Sequence, residues 1–381
     1  LLVSDENHLP YDRVALSKGY LTGRLRQESL FLQEPEFYQQ EHVEVLLGCH
    51  VQRLDADARI ALLDDGRELN FERLLLATGG RPRRPPIPNG DLPGIYCLRT
   101  IEDSDAIRAA ISSARRAVIV GGGFIGCEIA AACVQNGLDT TIIEFCPSLL
   151  NVPLDDETAQ WITEYFTKQG VHVLTNESAA RFVEADGRVA GVETKTGKKI
   201  LGDFVAIGIG IAPNVELAQE AGLPVDKGIL VNEQLETERR GIYAAGDVAS
   251  FYSPLYAKHL RLEHYDVALK HGQIAGANMA GAQERFIDLP HFFSSMFKLR
   301  IEVWGDTTQR EVVVRRGPLG ISEKGGFAQF YLAQGRVQAY LSVIRPSKEA
   351  EAAKTLILSR QSIEDLSLLS NESVDPCSLT K

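Results

Sequence analysis

The chain has 381 residues, 44% hydrophobic and 24% charged, which is room for two or three domains of ordinary globular composition. A net charge of −11 argues against general nucleic-acid binding, and no apolar run reaches the roughly 18 residues that a membrane-spanning helix needs. The six cysteines, at 49, 97, 127, 133, 146 and 377, form neither a C-x-x-C pair nor a Cys/His cluster of zinc spacing. They read as small hydrophobes kept reduced, with no metal site and a cytoplasmic setting expected.

The chain opens on an apolar strand end, Leu1-Leu2-Val3. Residues 8–21, HLPYDRVALSKGYL, read as a turn at Pro10 leading into a short helix with Lys18 near its end. Residues 36–42 look helical, and 43–47, 51–54, 60–63 and 68–71 read as short strands, the last two joined by an Asp65-Gly66 turn. Residues 73–77 form an apolar strand that runs into Thr78-Gly79-Gly80-Arg81-Pro82, where small residues let the backbone approach a ligand. A Pro- and Arg-rich linker, 83–93, and an amphipathic helix, 100–113, follow.

Residues 117–144, AVIVGGGFIGCEIAAACVQNGLDTTIIE, carry the strongest signal. A buried strand, the spacing Gly121-x-Gly123-x-x-Gly126, a helix of small residues and a second strand ending on Glu144 make up a complete dinucleotide fingerprint. Gly121 permits the tight turn, Gly123 lets the backbone approach a pyrophosphate, and Gly126 lets helix and strand pack closely. The helix start attracts the anion, and Glu144 is placed to accept hydrogen bonds from a ribose. Residues 145–148, Phe-Cys-Pro-Ser, supply no Arg or Lys for a 2′-phosphate, which favours NADH over NADPH.

Beyond it, 158–169 reads as a helix, 171–174 as a strand, 189–194 and 198–201 as a hairpin, and 204–211 as one buried strand closed by Pro213-Asn214. Strands are expected at 229–231 and 241–245, the second running into Gly246-Asp247, with Asp247 set before a helix to meet a ligand hydroxyl. A helix is expected from Arg261 to about Ala280; His264 and His271 on it read as packing or surface residues. From Leu289 an aromatic cluster, strands at 299–303, 311–314, 328–332 and 337–343, and a helix at 348–359 mark a separate C-terminal α+β domain.

The segments LPYDRVALSKGYL, LLLATGGRPR, CLRTIEDSDAI, VIVGGGFIGCEIAA, VAIGIGIAPN, GIYAAGDVA, RLEHYDVALKHG and FFSSMFKLRIEVWGD occur in this order. Together they resemble the two-dinucleotide-fold flavoprotein reductases, and within them the ferredoxin reductases serving Rieske-type oxygenases and cytochromes P450. The resemblance implies an α/β fold of two Rossmann-like dinucleotide-binding domains plus a C-terminal α+β domain. The FAD domain would take 1–98 and 226–288, the NAD domain 99–225 and the last domain 289–381. It implies FAD as cofactor, NADH as donor, a [2Fe–2S] ferredoxin or Rieske-type protein as acceptor, and a possible homodimer.

Carried over residue by residue, the resemblance implies that Lys18 sits by the flavin ring and pairs with Glu128. Arg13 would approach the flavin or its phosphates. Val51, Ala77, Thr78 and Gly79 would line the adenosine half, Arg99 and Tyr265 the flavin, and Asp247 the ribityl chain, with Arg81, Gly246, Glu263 and His264 also binding FAD. Gly121, Gly123, Phe124, Ile125, Gly126 and Glu144, with Gly208, Ile209 and Gly210, would hold NADH. Residues 8–20 contain no Cys, so the disulfide-bearing relatives are disfavoured and the flavin is expected to pass electrons outward directly. Lys298, Arg300, Arg315 and Arg316 are expected to steer an acidic ferredoxin. LSKGYL and RLEH also occur in monodehydroascorbate reductases, and a binding role like that of apoptosis-inducing factor is a further alternative. Relatives carry a first strand and a first G-x-G-x-x-G helix ahead of the point matching Leu1; without that unit, weak or absent FAD binding is expected.

Overall fold

The computed structural model describes residues 1–323 and 325–379. Lys324, Thr380 and Lys381, inside the expected C-terminal domain, lie outside the described residues. The chain divides into one unit of residues 1–14, 25–81 and 211–288 and another of 15–24, 82–210 and 289–381.

The second unit is built outward from Arg116–Val120, whose Ala117, Val118 and Ile119 are almost wholly buried. A strand apolar on both faces belongs at the centre of a parallel sheet covered on both sides. Asp139–Ile143 and Phe204–Ile207 pair with it in parallel, and Val171–Leu174 and Ile95–Cys97 complete five strands. The helix Phe124–Gln135 joins the first two strands. Ile101–Ser113 starts on a capping box, in which Thr100 and Asp103 satisfy each other's backbone N–H. Asp155 caps Asp156–Lys168. A second five-stranded sheet, antiparallel, runs in the order His291–Met296, Leu299–Gly305, Arg336–Val343, Phe327–Ala333, Val312–Arg316. The helix Ser347–Ser359 buries Ala353, Leu356 and Ile357.

In the first unit, Leu74–Leu76 pairs in parallel with Ile242–Ala244, and Leu2–Val3 with Val45–Leu46. Val51–Asp55, Ile60–Leu63 and Glu68–Asn70 form an antiparallel meander. Ile229–Val231, Ala249–Ser253 and Lys258–Leu260 form another sheet. The buried side chains of Leu54, Leu76, Ile229, Ile242, Phe251 and Val267 share one core.

Several local expectations shift. The run 204–211 is not one strand: Phe204–Ile207 stops at Gly208, and Ile211–Pro213 pairs elsewhere, with Gly210 at φ +89° between them. The helix expected from Arg261 starts at Tyr265, because His264 is extended. Asp247 lies in the single 3₁₀ turn Gly246–Val248, before a strand rather than a helix. Ala179–Ala185, Ala249–Ser253, Lys258–Leu260 and His291–Met296 are strands that the sequence pattern did not separate from loop.

Arg316 departs furthest from expectation. It is 2% exposed, not a surface charge offered to a partner. Its guanidinium donates to the carbonyls of Leu369, Asn371, Glu372 and Val374 and to Glu349 Oε1. Arg315 in turn pairs with Glu157 at 2.6 Å. Replacing Arg316 by Met should lower stability by about 3–5 kcal/mol, because Glu349 and four carbonyls lose a buried partner; urea denaturation measures it.

His271 is fully buried, edge-on to Phe251 and Phe286, and its Nδ1 accepts from the Gly246 N–H at 3.3 Å. Burial pulls its imidazole down to about 3. The unfolded chain takes up this proton near pH 6.5. Below that pH the unfolded state binds more protons, so stability falls with pH through the window from 6.5 to 3. At pH 5 the loss should be about 2 kcal/mol. His271→Gln should flatten that part of the pH–stability curve, read from denaturation at pH 7 and pH 5.

Candidate nucleotide site and the buried carboxylate beside it

Three contacts show why the turn after Val120 is glycine. Gly121 has φ +105°, a region that side chains avoid, and an added Cβ would lie 2.4 Å from Gly208 O. A Cβ on Gly126 would meet Gly121 O at 2.0 Å. One on Gly122 would press Leu149 and the Glu144 carboxylate. At Gly123, by contrast, an added Cβ would meet only an ordinary contact, Gly208 O at 3.8 Å, and the residue is exposed. It caps Phe124–Gln135 with no side-chain hydrogen bond, leaving the helix's first N–H groups without a side-chain cap. Open backbone, bare amides and a positive helix end suit a pyrophosphate.

Glu144 follows the strand Asp139–Ile143. Its carboxylate accepts from the N–H groups of Gly122 and Cys146, the latter at 2.6 Å. That fixes an acidic group at the strand end, where a ribose would lie in such a site. Phe145 beside it is 76% exposed. Gly208 closes the opposite side, since an added Cβ would stand 2.8 Å from Gly126 N. Ile125 and Ile209 are exposed, and Gly210 accepts from Arg83 N–H. The expected nicotinamide-nucleotide residues thus lie together in one unit, and their shape and donors fit the group.

One helical turn beyond the loop stands Glu128, 5% exposed. Its Oε1 accepts from Lys18 Nζ at 2.7 Å and from Ser294 Oγ at 2.5 Å, and its Oε2 accepts from Ser17 Oγ. The resemblance pairs Lys18 with Glu128, and the structure brings them into contact. Ser17 and Ser294 escaped the sequence reading: one is a small residue beside the lysine, the other lies in an unrecognised strand. Arg99 is half-buried, with its N–H on Asp103.

The first unit holds the remaining flavin-side candidates. Arg13 pairs with Glu6 and donates to Tyr11 Oη, and Asp247 acts on it electrostatically. Asn214, also missed, clasps the end of the Leu74–Leu76 strand: Thr78 donates to its carbonyl at 2.7 Å, its amide donates to Thr78 O, and Arg81 donates to its side chain. Arg81 also pairs with Glu216. Ala77 is exposed, Gly79 has φ +59°, and Val51 opens its strand. Gly246, at φ +73°, sets the turn that carries Asp247. Glu263 pairs with Arg261, His264 caps the helix that begins at Tyr265, and Tyr265 is 41% exposed. A carboxylate that accepts, and a guanidinium and an exposed phenol that donate, are groups suited to a flavin and its polyol chain.

Among the described residues, no helix is long and apolar enough to cross a membrane, and no His/Cys/Asp/Glu group is arranged to hold a metal ion. Burial pushes the Cys127 thiol well up and the Cys133 thiol up to about 12, so both are unreactive at neutral pH.

A family model described as pyridine nucleotide-disulphide oxidoreductase matches residues 1–272. Rhodocoxin reductase of Rhodococcus erythropolis is 34% identical over 355 residues, 93% of this chain and 82% of that protein. The anthranilate 1,2-dioxygenase system ferredoxin–NAD(+) reductase component of Burkholderia cepacia is 34% identical over 362 residues, covering 94% and 87%. The solved covalent putidaredoxin reductase–putidaredoxin complex superimposes with a TM-score of 0.94 at 32% identity, over 99% of this chain and 91% of that one.

Gly126→Ala tests the close approach in the loop. With a Cβ 2.0 Å from Gly121 O, the turn must open. NADH affinity should fall at least about tenfold, as expected when a tightly packed site is forced apart by roughly 1.4 kcal/mol or more. Titration of NADH by isothermal calorimetry measures it.

Proposed function

The chain belongs to the pyridine nucleotide-disulphide oxidoreductase family, and we infer from that premise and the site geometry that it is an NADH-dependent FAD reductase delivering electrons to a ferredoxin-type iron–sulfur protein. The observation that carries the nucleotide half is the open Gly123 face beside the anchored Glu144 carboxylate. The acceptor is supported by relatives named as ferredoxin or putidaredoxin partners. FAD, when bound, supplies the redox chemistry, taking two electrons as hydride and yielding them one at a time.

The chain's own residues bind, orient and charge. Gly121, Gly123 and Gly126, with Phe124, Ile125 and the Gly208-Ile209-Gly210 turn, hold the dinucleotide. Glu144 accepts from a ribose and disfavours a 2′-phosphate by charge. Glu128 pairs with Lys18 and fixes its position, and Lys18 presents its positive charge toward the flavin. Arg13, Arg99, Gly246, Asp247, Glu263, His264 and Tyr265 serve the flavin and ribityl end, and Val51, Ala77, Thr78, Gly79 and Arg81 the adenosine end. In this reading residues 1–98 and 226–288 form the FAD domain, 99–225 the NAD domain and 289–381 the last domain. The thiols of Cys49, Cys97, Cys127, Cys133 and Cys146, none of them in a disulfide, accord with a reducing, cytoplasmic setting.

Mixing the FAD-loaded chain with NADH in a stopped-flow spectrometer should bleach the oxidised-flavin band, and adding oxidised [2Fe–2S] ferredoxin should restore it. Absence of bleaching overturns the reading. Glu144→Ala should raise the NADH concentration needed for half-maximal bleaching about tenfold, the loss of roughly 1.4 kcal/mol of charge-assisted hydrogen bonding.

A further inference from the structure

We propose that Ser294 is a positioning residue for the Lys18–Glu128 pair, so that the C-terminal sheet takes part in setting the charge by the flavin; this rests on the role of Lys18 inferred above. Ser294 lies in His291–Met296, where it and Met296 are buried while Phe293 and Ser295 are exposed. The inward positions of such a strand suit apolar side chains. A serine there, 1% exposed, gives up water and needs a compensating bond. It finds that bond at Glu128 Oε1, 2.5 Å away.

A carboxylate has two oxygens, and its plane turns readily about its last torsion. With Ser17 on Oε2 and Ser294 and Lys18 both on Oε1, the plane of Glu128 is held at both ends. Without Ser294 the oxygen that faces Lys18 has one donor rather than two. The carboxylate is then free to swing, and the ammonium, whose side chain is 24% exposed, follows it or turns to water. The three donors come from residues far apart in sequence, and each is an ordinary serine or lysine by itself. Their convergence on one buried carboxylate gives Ser294 its role.

The test uses Ser294→Ala, Lys18→Met and the double variant in the FAD-loaded full chain, with thermal unfolding as a check on folding. Ser294→Ala should slow bleaching by NADH about five- to twentyfold at saturating NADH, the scale of one charge-assisted hydrogen bond, with little change in the concentration for half-effect. In the Lys18→Met background it should cost almost nothing more, because the two act through one unit. A second readout needs no turnover. Acetic anhydride labelling followed by mass spectrometry should modify Lys18 several-fold faster in Ser294→Ala, with exposed Lys227 unchanged as control. If Lys18→Met bleaches at the parent rate, the role of Lys18 falls and that of Ser294 with it. If Lys18→Met is slow but Ser294→Ala changes neither bleaching nor Lys18 labelling, only the Ser294 proposal is overturned. An equal loss in both backgrounds overturns it too.

Discussion

A carboxylate buried beneath a nucleotide loop is costly unless it is paired and hydrogen-bonded. Glu128 meets that requirement with two serine hydroxyls and one ammonium. The donors arrive from residues 15–24 and from 289–381, and the acceptor from 82–210, the three chain segments that make up the second unit. A single electrostatic demand therefore converges on all three. The helix that carries Glu128 begins at Gly123, so the same element presents bare amides at its start and a fixed carboxylate one turn on.

The glycine loop obeys a different constraint, that of space. Gly121, Gly126 and Gly208 sit where backbone atoms of one turn touch those of another, and a methyl group at any of them would collide. Gly123 is glycine for the opposite reason, because it looks outward. Packing makes the loop rigid and openness makes it usable. Glu144 then ties the loop to the end of the second strand through the Gly122 N–H.

Sequence reasoning found elements whose pattern is local and strong. The strands Arg116–Val120, Ile60–Leu63 and Val171–Leu174 stand within a residue of where the apolar runs put them, and the helix expected from Cys127 to about Gln135 starts one turn earlier, at Phe124. It missed strands whose sequence is ambiguous. Ala179–Ala185 has little alternation, and the Ser-rich HFFSSM of His291–Met296 is read as a strand only once its partner Leu299–Gly305 is in place. Arg316 was misjudged for a related reason: charge is visible in sequence, but the four carbonyls that bury it come from a tail more than fifty residues on.

By itself the sequence determined the nucleotide fingerprint, because spacing within one strand–turn–helix fixes local backbone geometry and its uses, while the pairing of Lys18 with Glu128 was implied by the resemblance of eight ordered segments to a known family. Only the tertiary structure decided which groups surround Glu128, which charges are free to meet a partner, and that Asn214 clasps the end of the Leu74–Leu76 strand. These depend on contacts between residues distant along the chain, and a hydroxyl carries no mark in sequence of the acceptor it will find. The carboxylate beneath the loop was legible as a residue, but its enclosure was not.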